Sequence, residues 1–194
     1  VRTAVVERVT EETKVKVELN LDGKGDFKGK TGIGFFDHML HLWARHSLFD
    51  LSLEAQGDLD VDAHHTVEDV GITLGQAFRK ALGSKECLRR YGSICLPMDE
   101  ALVLVAVDLS GRPFFAYDVK IGPWIVGSFP VELVAEFFRA FTNNAGITLH
   151  MRLLSGENAH HIIEALFKAF GRALQEAVSV NPRESGVPST KGSL

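Results

Sequence analysis

Apolar and polar positions alternate over residues 3–9 and again over 14–21, where Val15, Val17, Leu19 and Leu21 share one side. That is the period of a half-buried strand. Asp22-Gly23-Lys24-Gly25 reads as a hairpin turn that returns into a strand over 26–30. After Gly32 and Gly34 the period lengthens, and Phe36, Met39, Leu40, Trp43 and Ala44 fall on one side of a helix. Residues 48–55 return to a strand pattern, and a polar turn through Gly57 and Asp58 leads into a second helix over 64–82. Its stripe is Val67, Val70, Leu74, Ala77, Phe78 and Ala81, and Gly83-Ser84-Lys85 ends it. A polar connector follows, and the order then repeats. A strand over 101–109 turns at Ser110-Gly111-Arg112-Pro113 into a partner strand over 114–119. A helix over 131–141, a strand over 147–153 and a helix over 159–178 complete it. The Pro/Gly/Ser-rich remainder lacks a core-forming pattern and reads as a flexible tail.

Each half is thus strand–strand–helix–strand–helix, dividing the chain into repeats 1–92 and 93–180 and the tail 181–194. Offset by 96 residues, Gly75 falls on Gly171, Ala77 on Ala173 and Ala81 on Ala177. In the early strands the better offset is 88, which lays Glu12 on Glu100 and Asn20-Leu21-Asp22-Gly23 on Asp108-Leu109-Ser110-Gly111. A sheet with helices on one face must bury its apolar side against another layer. Two such repeats predict an internally duplicated α+β fold in which two sheets sandwich a layer of helices. The outer face of each sheet is then a surface for self-association.

The duplication carries chemistry at one place. An offset of 96 superimposes His64-His65-Thr66-Val67-Glu68 on His160-His161-Ile162-Ile163-Glu164. Residues four apart share a helix face, while neighbours diverge by about 100°. His64 with Glu68, and His160 with Glu164, can each close on one metal ion, leaving His65 and His161 to point elsewhere. If the copies face each other with two-fold symmetry, each pair receives the other copy's odd histidine, giving two metal sites of similar make-up. An offset near 98 lays His38 on Glu136, both beside a Phe pair, and predicts one further ligand for each ion from the preceding helix. Helical histidines are more often solvated or hydrogen-bonded than ligating; here repeat, spacing and residue type together favour metal.

Composition narrows the classes. The 194 residues, 45% apolar and 24% charged, suit a globular chain with a full core. A net charge of −4 gives no electrostatic case for nucleic acid or an anionic membrane. The longest apolar run, 101–107, is far too short to span a bilayer. No charged-then-apolar segment opens the chain, which predicts a cytoplasmic protein. Cys87 and Cys95, outside any CxxC, read as free thiols.

Longer stretches resemble a known family. Gly34-Phe35-Phe36-Asp37-His38-Met39-Leu40, Asp62-Ala63-His64-His65-Thr66-Val67-Glu68-Asp69 and Pro97-Met98-Asp99-Glu100-Ala101 are similar to the imidazoleglycerol-phosphate dehydratases of histidine biosynthesis. So are Asp108-Leu109-Ser110-Gly111-Arg112-Pro113, the stretch Asn158 to Ala169, and Pro188-Ser189-Thr190-Lys191-Gly192. The resemblance implies a duplicated fold of the ribosomal protein S5 domain 2-like type, a 24-subunit assembly, and two Mn²⁺ ions per active site where subunits meet. It implies one ion held by His38, His65, His160 and Glu164. The other is held by His64, Glu68, His161 and residue 136, a histidine in many members and Glu136 here; His150, in a strand, is the poorer substitute. The implied substrate, imidazole glycerol phosphate, loses water to give imidazole acetol phosphate, with two cations flanking its ring as Lewis acids. Glu12 is the expected proton-transfer residue and Glu100 its counterpart. His38, His64, His65, Glu68 and His160 also face the substrate, and His46 is a further contact, whereas His41 reads as structural. Arg90, Arg112, Ser189 and Lys191 match the family's phosphate positions, with Lys191 as a lid. Two rivals are a dinuclear metallohydrolase acting on a phosphorylated small molecule and a metal-storage or structural assembly protein. Hydrolysis would release phosphate, and storage leaves the phosphate-compatible cations unexplained.

Overall fold

A computed structural model describes residues 1–122 and 124–194. The first half folds as β1 (Thr3–Val9), β2 (Thr13–Asn20), β3 (Phe27–Lys30), α1 (Gly34–Ser47), β4 (Asp50–Gly57) and α2 (His64–Leu82). The second half opens with β5 (Tyr91–Met98), β6 (Ala101–Asp108) and β7 (Phe114–Asp118). A short hairpin of β8 (Ile125–Val126) and β9 (Phe129–Pro130) leads to α3 (Glu132–Ala145), β10 (Thr148–Ser155) and α4 (Ala159–Ala177). The sheets have matching orders, β1-β2-β4-β3 and β5-β6-β10-β7. Helix α2 packs across β1 and β2, α4 packs across β5 and β6, and α1 meets α4 as α2 meets α3. The duplicated α+β sandwich expected from the sequence is therefore present, with helices between two sheets.

Two strand partners differ from expectation, in the same way. Chain 26–30 does not return beside β2; β3 runs parallel to β4, with Phe27 opposite Leu51. Likewise β7 is not the partner of β6 but runs parallel to β10, with Phe114 opposite Thr148. In the first half Asp50 accounts for this. Its Oδ1 accepts the amide N–H groups of Lys24, Gly25 and Asp26 at 2.8, 3.1 and 3.1 Å, pinning the turn to the start of β4. In the second half Thr148 takes that place, its hydroxyl 3.2 Å from that of Ser110 and 3.3 Å from the Arg112 carbonyl oxygen.

The polar connector also contains a strand. β5 is the counterpart of β1, so the second repeat begins at Tyr91, two residues before position 93. Gly92 and Pro97 disguise its pattern. A Cβ at Gly92 would lie 2.0 Å from the Ala173 carbonyl oxygen of α4, so only glycine fits there. Pro97 sits on an edge strand, where a missing N–H disrupts little.

The core is aromatic at its centre. Phe141 of α3 lies 6.2 Å from Trp43 of α1, 5.6 Å from Phe78 of α2 and 5.1 Å from Phe170 of α4, ring centre to ring centre. The outer faces of the sheets differ in balance. On the first sheet Lys16 pairs with Glu18 at 2.7 Å and Lys14 with Glu7 at 3.6 Å. On the second, an Arg152–Asp118 pair at 3.1 Å accompanies a larger apolar area, with Cys95 exposed, Leu102, Leu104 and Ala106 half-buried and Phe114 57% exposed. Among the described residues no helix is long and apolar enough to cross a membrane.

Helices α1 and α4 touch backbone to backbone. A Cβ on Gly171 would lie 2.8 Å from the Trp43 carbonyl oxygen and 2.9 Å from the Ser47 nitrogen. Alanine gains up to about 1 kcal/mol over glycine in a helix, but forcing two packed backbones apart costs about 1–3 kcal/mol. Gly171→Ala should therefore lower the unfolding free energy, read as a lower denaturant midpoint; a raised midpoint contradicts the contact.

Candidate active site

Asn158 sets the start of α4: its side-chain oxygen accepts the His161 N–H at 3.1 Å. His160 and Glu164, one turn apart, then share a face. Glu164 Oε2 lies 3.1 Å from His160 Nε2 and 3.6 Å from His38 Nε2 of α1. One ligand atom from each of the three lies within 4.8 Å of the others. Lys168, a turn further along α4, holds Glu164 Oε1 at 2.6 Å. Burial pushes the Glu164 carboxyl up, but the Lys168 ammonium and the His160 hydrogen bond outweigh it and leave the group below its ordinary range. Two imidazoles and an ionised carboxylate form a mixed nitrogen–oxygen donor set that suits a first-row divalent cation. Among the described residues no other His/Cys/Asp/Glu trio converges in this way.

The pseudo-equivalent positions are His64 and Glu68 on α2 and Glu136 on α3, which packs against it. These three do not converge to the same degree; Glu136 is paired with Arg139, one turn along α3. From the sequence, His65 is expected beside His38, His160 and Glu164, and His161 beside His64, Glu68 and residue 136. Within one chain each odd histidine is instead held by carboxylates of its own half. His65 Nδ1 lies 2.8 Å from Asp58 Oδ2 and 3.5 Å from Glu12 Oε2. His161 Nδ1 lies 2.7 Å from Glu100 Oε2. The hydrogen bond to Asp58 raises the His65 pKa, and the hydrogen bond to Glu100 raises that of His161.

Glu12 and Glu100 occupy matching turns, β1–β2 and β5–β6, but are anchored differently. The Glu100 carboxylate accepts the N–H groups of Asn158 at 2.8 Å and Glu157 at 3.4 Å. The Glu12 carboxylate, 54% exposed, accepts no hydrogen bond from an amide among the described residues. Its turn is fixed by its neighbours. The Thr13 hydroxyl donates to buried Asp69 of α2, Asp69 also takes Arg8 Nε at 2.9 Å, and Thr10 Oγ1 accepts the Glu12 and Thr13 N–H groups.

The cationic residues converge elsewhere. Arg90, Arg112, Ser189 and Lys191 line one cleft of about 700 Å³ together with Arg89. Arg90 is tied to Asp108 at 2.7 Å and to the Pro188 carbonyl oxygen at 2.9 Å, which lays the tail along the cleft. His46 lies two turns along α1 from His38, and burial, then Arg172, lowers its pKa. His41 stacks on Phe27 at 5.4 Å, a structural contact. His150 lies on the outer face of the second sheet, against Phe114 and away from the helix layer. Asp58, Asp69 and Lys168 carry no role in the sequence reading. Only Lys168 had a local signal, its position four residues after Glu164.

Fold and site together define a duplicated two-sheet α+β protein with histidine–carboxylate clusters at helix starts. The model of the family described as imidazoleglycerol-phosphate dehydratase matches residues 31–174. The imidazoleglycerol-phosphate dehydratase of Caldanaerobacter subterraneus subsp. tengcongensis is 60% identical over 193 residues, covering 100% of both chains. That of Moorella thermoacetica is 58% identical over 193 residues, covering 100% of this chain and 98% of its own. The crystal structure of the Staphylococcus aureus subsp. aureus enzyme superposes with a TM-score of 0.83 at 40% identity, covering 92% of this chain and 99% of that one. The Pyrococcus furiosus enzyme in complex with (S)-C348 gives 0.83 at 41% identity, covering 97% and 100%. The chain belongs to the imidazoleglycerol-phosphate dehydratase family. It is accordingly an enzyme, a carbon–oxygen hydro-lyase of histidine biosynthesis.

The Glu100–His161 pair gives a pH signature in the metal-free protein. The His161 hydrogen bond, then the Asn158 N–H, lower the Glu100 pKa from 4.5 to about 2. A depressed carboxylate stabilises the fold above its unfolded value and loses that contribution as pH falls through the folded one. His161, raised from 6.5, contributes below 6.5 and loses its contribution as pH rises through the folded value. Glu100→Gln should therefore be less stable than the wild type between pH 4.5 and 6.5, the difference closing toward pH 2. Denaturant midpoints followed by tryptophan fluorescence across that range check this; a constant difference contradicts it.

Proposed function

We propose that the chain dehydrates imidazole glycerol phosphate to imidazole acetol phosphate with two Mn²⁺ ions that grip the substrate ring, in a cytoplasmic 24-mer whose active sites lie between subunits. The trio of His38, His160 and Glu164 is the observation that carries this reading. His38, His160 and Glu164 would hold one ion and His64, Glu68 and Glu136 the other, each set completed by an odd histidine, His65 or His161. The ions supply Lewis-acid charge that stabilises the deprotonated imidazole ring. The hydroxyl on the carbon beside the ring leaves as water with the ring's proton, and the proton on the next carbon goes to a carboxylate. The enol so formed becomes the ketone as that proton is returned to the carbon beside the ring and the enol proton restores the ring nitrogen. Glu12 takes the carbon-bound proton, since its carboxylate is not committed to backbone amides.

Geometry supports a site shared between subunits. Arg90 precedes β5 and Glu100 follows it, so the 8 residues of the strand separate them by roughly 23 Å. The 19-residue α2 separates His64 from the same cleft by roughly 28 Å, since Lys85 just beyond its end bonds the Leu109 carbonyl oxygen. An imidazole joined to a phosphate by three carbons is far shorter than either span. Both spans support a site in which the cleft of one chain serves the histidines of another, and the partly apolar outer face of the second sheet offers copies a surface to meet on.

An imidazole or triazole phosphonate should raise the melting temperature only when Mn²⁺ is present, and Glu12→Gln should lose about 10²–10⁴-fold in kcat with bound Mn²⁺ unchanged. Stabilisation without metal, or full turnover by the variant, would sink the corresponding step. Lys191→Ala should raise KM about tenfold, the loss of about one charge-assisted hydrogen bond, with a smaller change in kcat; an unchanged KM removes Lys191 from phosphate binding.

A further inference from the structure

We propose that Asp58 is a positioning residue that holds His65 through Nδ1, and that Glu100 does the same for His161, so that of the two matched glutamates only Glu12 is free to move a proton. The inference rests on the reading that the odd histidines ligate metal and that Glu12 is the base. Its grounds are geometric. A ligating histidine that donates its Nδ1–H to a carboxylate has its tautomer and ring orientation fixed, with Nε2 left to the metal. Both odd histidines have that arrangement, with carboxylate oxygens at 2.8 Å for His65 and 2.7 Å for His161. The carboxylates are not counterparts of each other. Strands β4 and β10 match at an offset of 98, which lays Asp58 on Gly156. The second half has no carboxylate at that place, and Glu100 reaches His161 instead. In the first half Asp58 already occupies His65 Nδ1, and Glu12 stands off at 3.5 Å.

The surroundings of the two carboxylates agree. The Asp58 side chain is only 22% exposed and its Oδ1 is buried, so it is not a solvated loop carboxylate. Glu100 accepts two backbone N–H groups besides His161, so its carboxylate oxygens are already committed to partners. A carboxylate so committed orients; one without such bonds can exchange protons.

The test measures Mn²⁺ affinity, by the electron paramagnetic resonance of free ion, alongside kcat and KM at saturating Mn²⁺. Wild type is compared with Asp58→Asn, Asp58→Glu, Glu100→Gln and Glu12→Gln, with light scattering to check assembly. Asp58→Asn and Glu100→Gln should each weaken Mn²⁺ binding by about 10–100-fold. Asp58→Glu should recover part of the Asp58→Asn loss, as a merely space-filling role would not. At saturating Mn²⁺, Glu100→Gln should regain most of kcat, whereas Glu12→Gln keeps its affinity and loses kcat. Unchanged affinity in Asp58→Asn overturns the role of Asp58. Lost kcat with unchanged affinity in Glu100→Gln makes Glu100 a proton-transfer group and overturns the division of labour. A wild type that binds no Mn²⁺, or a fully active Glu12→Gln, overturns the underlying reading and this proposal with it, and does so in controls separate from the Asp58 and Glu100 arms.

Discussion

The site depends on how closely two pairs of helices approach. At Gly171 a Cβ would lie 2.8 Å from the α1 backbone, and at Gly75, its counterpart, 2.6 Å from the Phe141 carbonyl oxygen of α3. Side chains at these points would hold the axes apart, beyond the reach of an imidazole on one helix to a carboxylate on the other. His38 lies near the start of α1 and Glu164 in the second turn of α4, and this close packing lets them approach to 3.6 Å. The aromatic centre around Phe141 then keeps the helix pairs in register, because a close-packed interior transmits displacement instead of absorbing it.

Much of this was legible because the chain states its pattern twice. The helices, the matched glycines and the i,i+4 pairs follow from local period and a fixed offset; the structure keeps the helices, the glycines and one of the pairs in contact, His160 with Glu164. Strand pairing was legible only where it was local. The turn at 22–25 has hairpin composition, yet Asp50, some 25 residues away, claims two of its amides and that of Asp26, and β4 lies between β2 and β3. No pattern within the turn reports that bond. The same holds at β7, where Ser110 and Thr148 have the corresponding task. β5 was hidden because Gly92 and Pro97 answer to α4 and to an open edge, which lie outside the strand's own period.

The site was legible to the same depth. His160 and Glu164 share a face by helix geometry alone, and His38 was reached through the loose offset near 98. His65 was expected beside that trio, and within one chain it lies against Asp58. A polar turn containing aspartate is ordinary in sequence, and nothing in its spacing points to an imidazole seven residues on. Arg90, Arg112, Ser189 and Lys191 come from three separate segments, and they share a cleft because the tail is tied down by the Arg90–Pro188 bond and by backbone bonds to Cys87.

The duplicated halves solve one mechanical problem by different means. In each, a β-turn bearing a glutamate must be fixed against the helix start that bears the histidines. In the second half the glutamate is itself the tie, since Glu100 accepts N–H groups at the start of α4. Apolar Leu96, Ala101 and Ala165 then stand where the first half has Arg8, Thr13 and Asp69. In the first half those three polar groups make the tie, through Asp69 of α2. Burying Asp69 is favourable only because both oxygens are paired, and removing either donor would leave a desolvated acceptor. An apolar trio of similar size would hold the turn with less exposure to such loss. What the polar trio adds is direction: it fixes the turn through Thr13 and leaves the Glu12 side chain uncommitted. A half-buried ion pair beneath the turn is thus the structural cost of leaving the Glu12 carboxylate uncommitted.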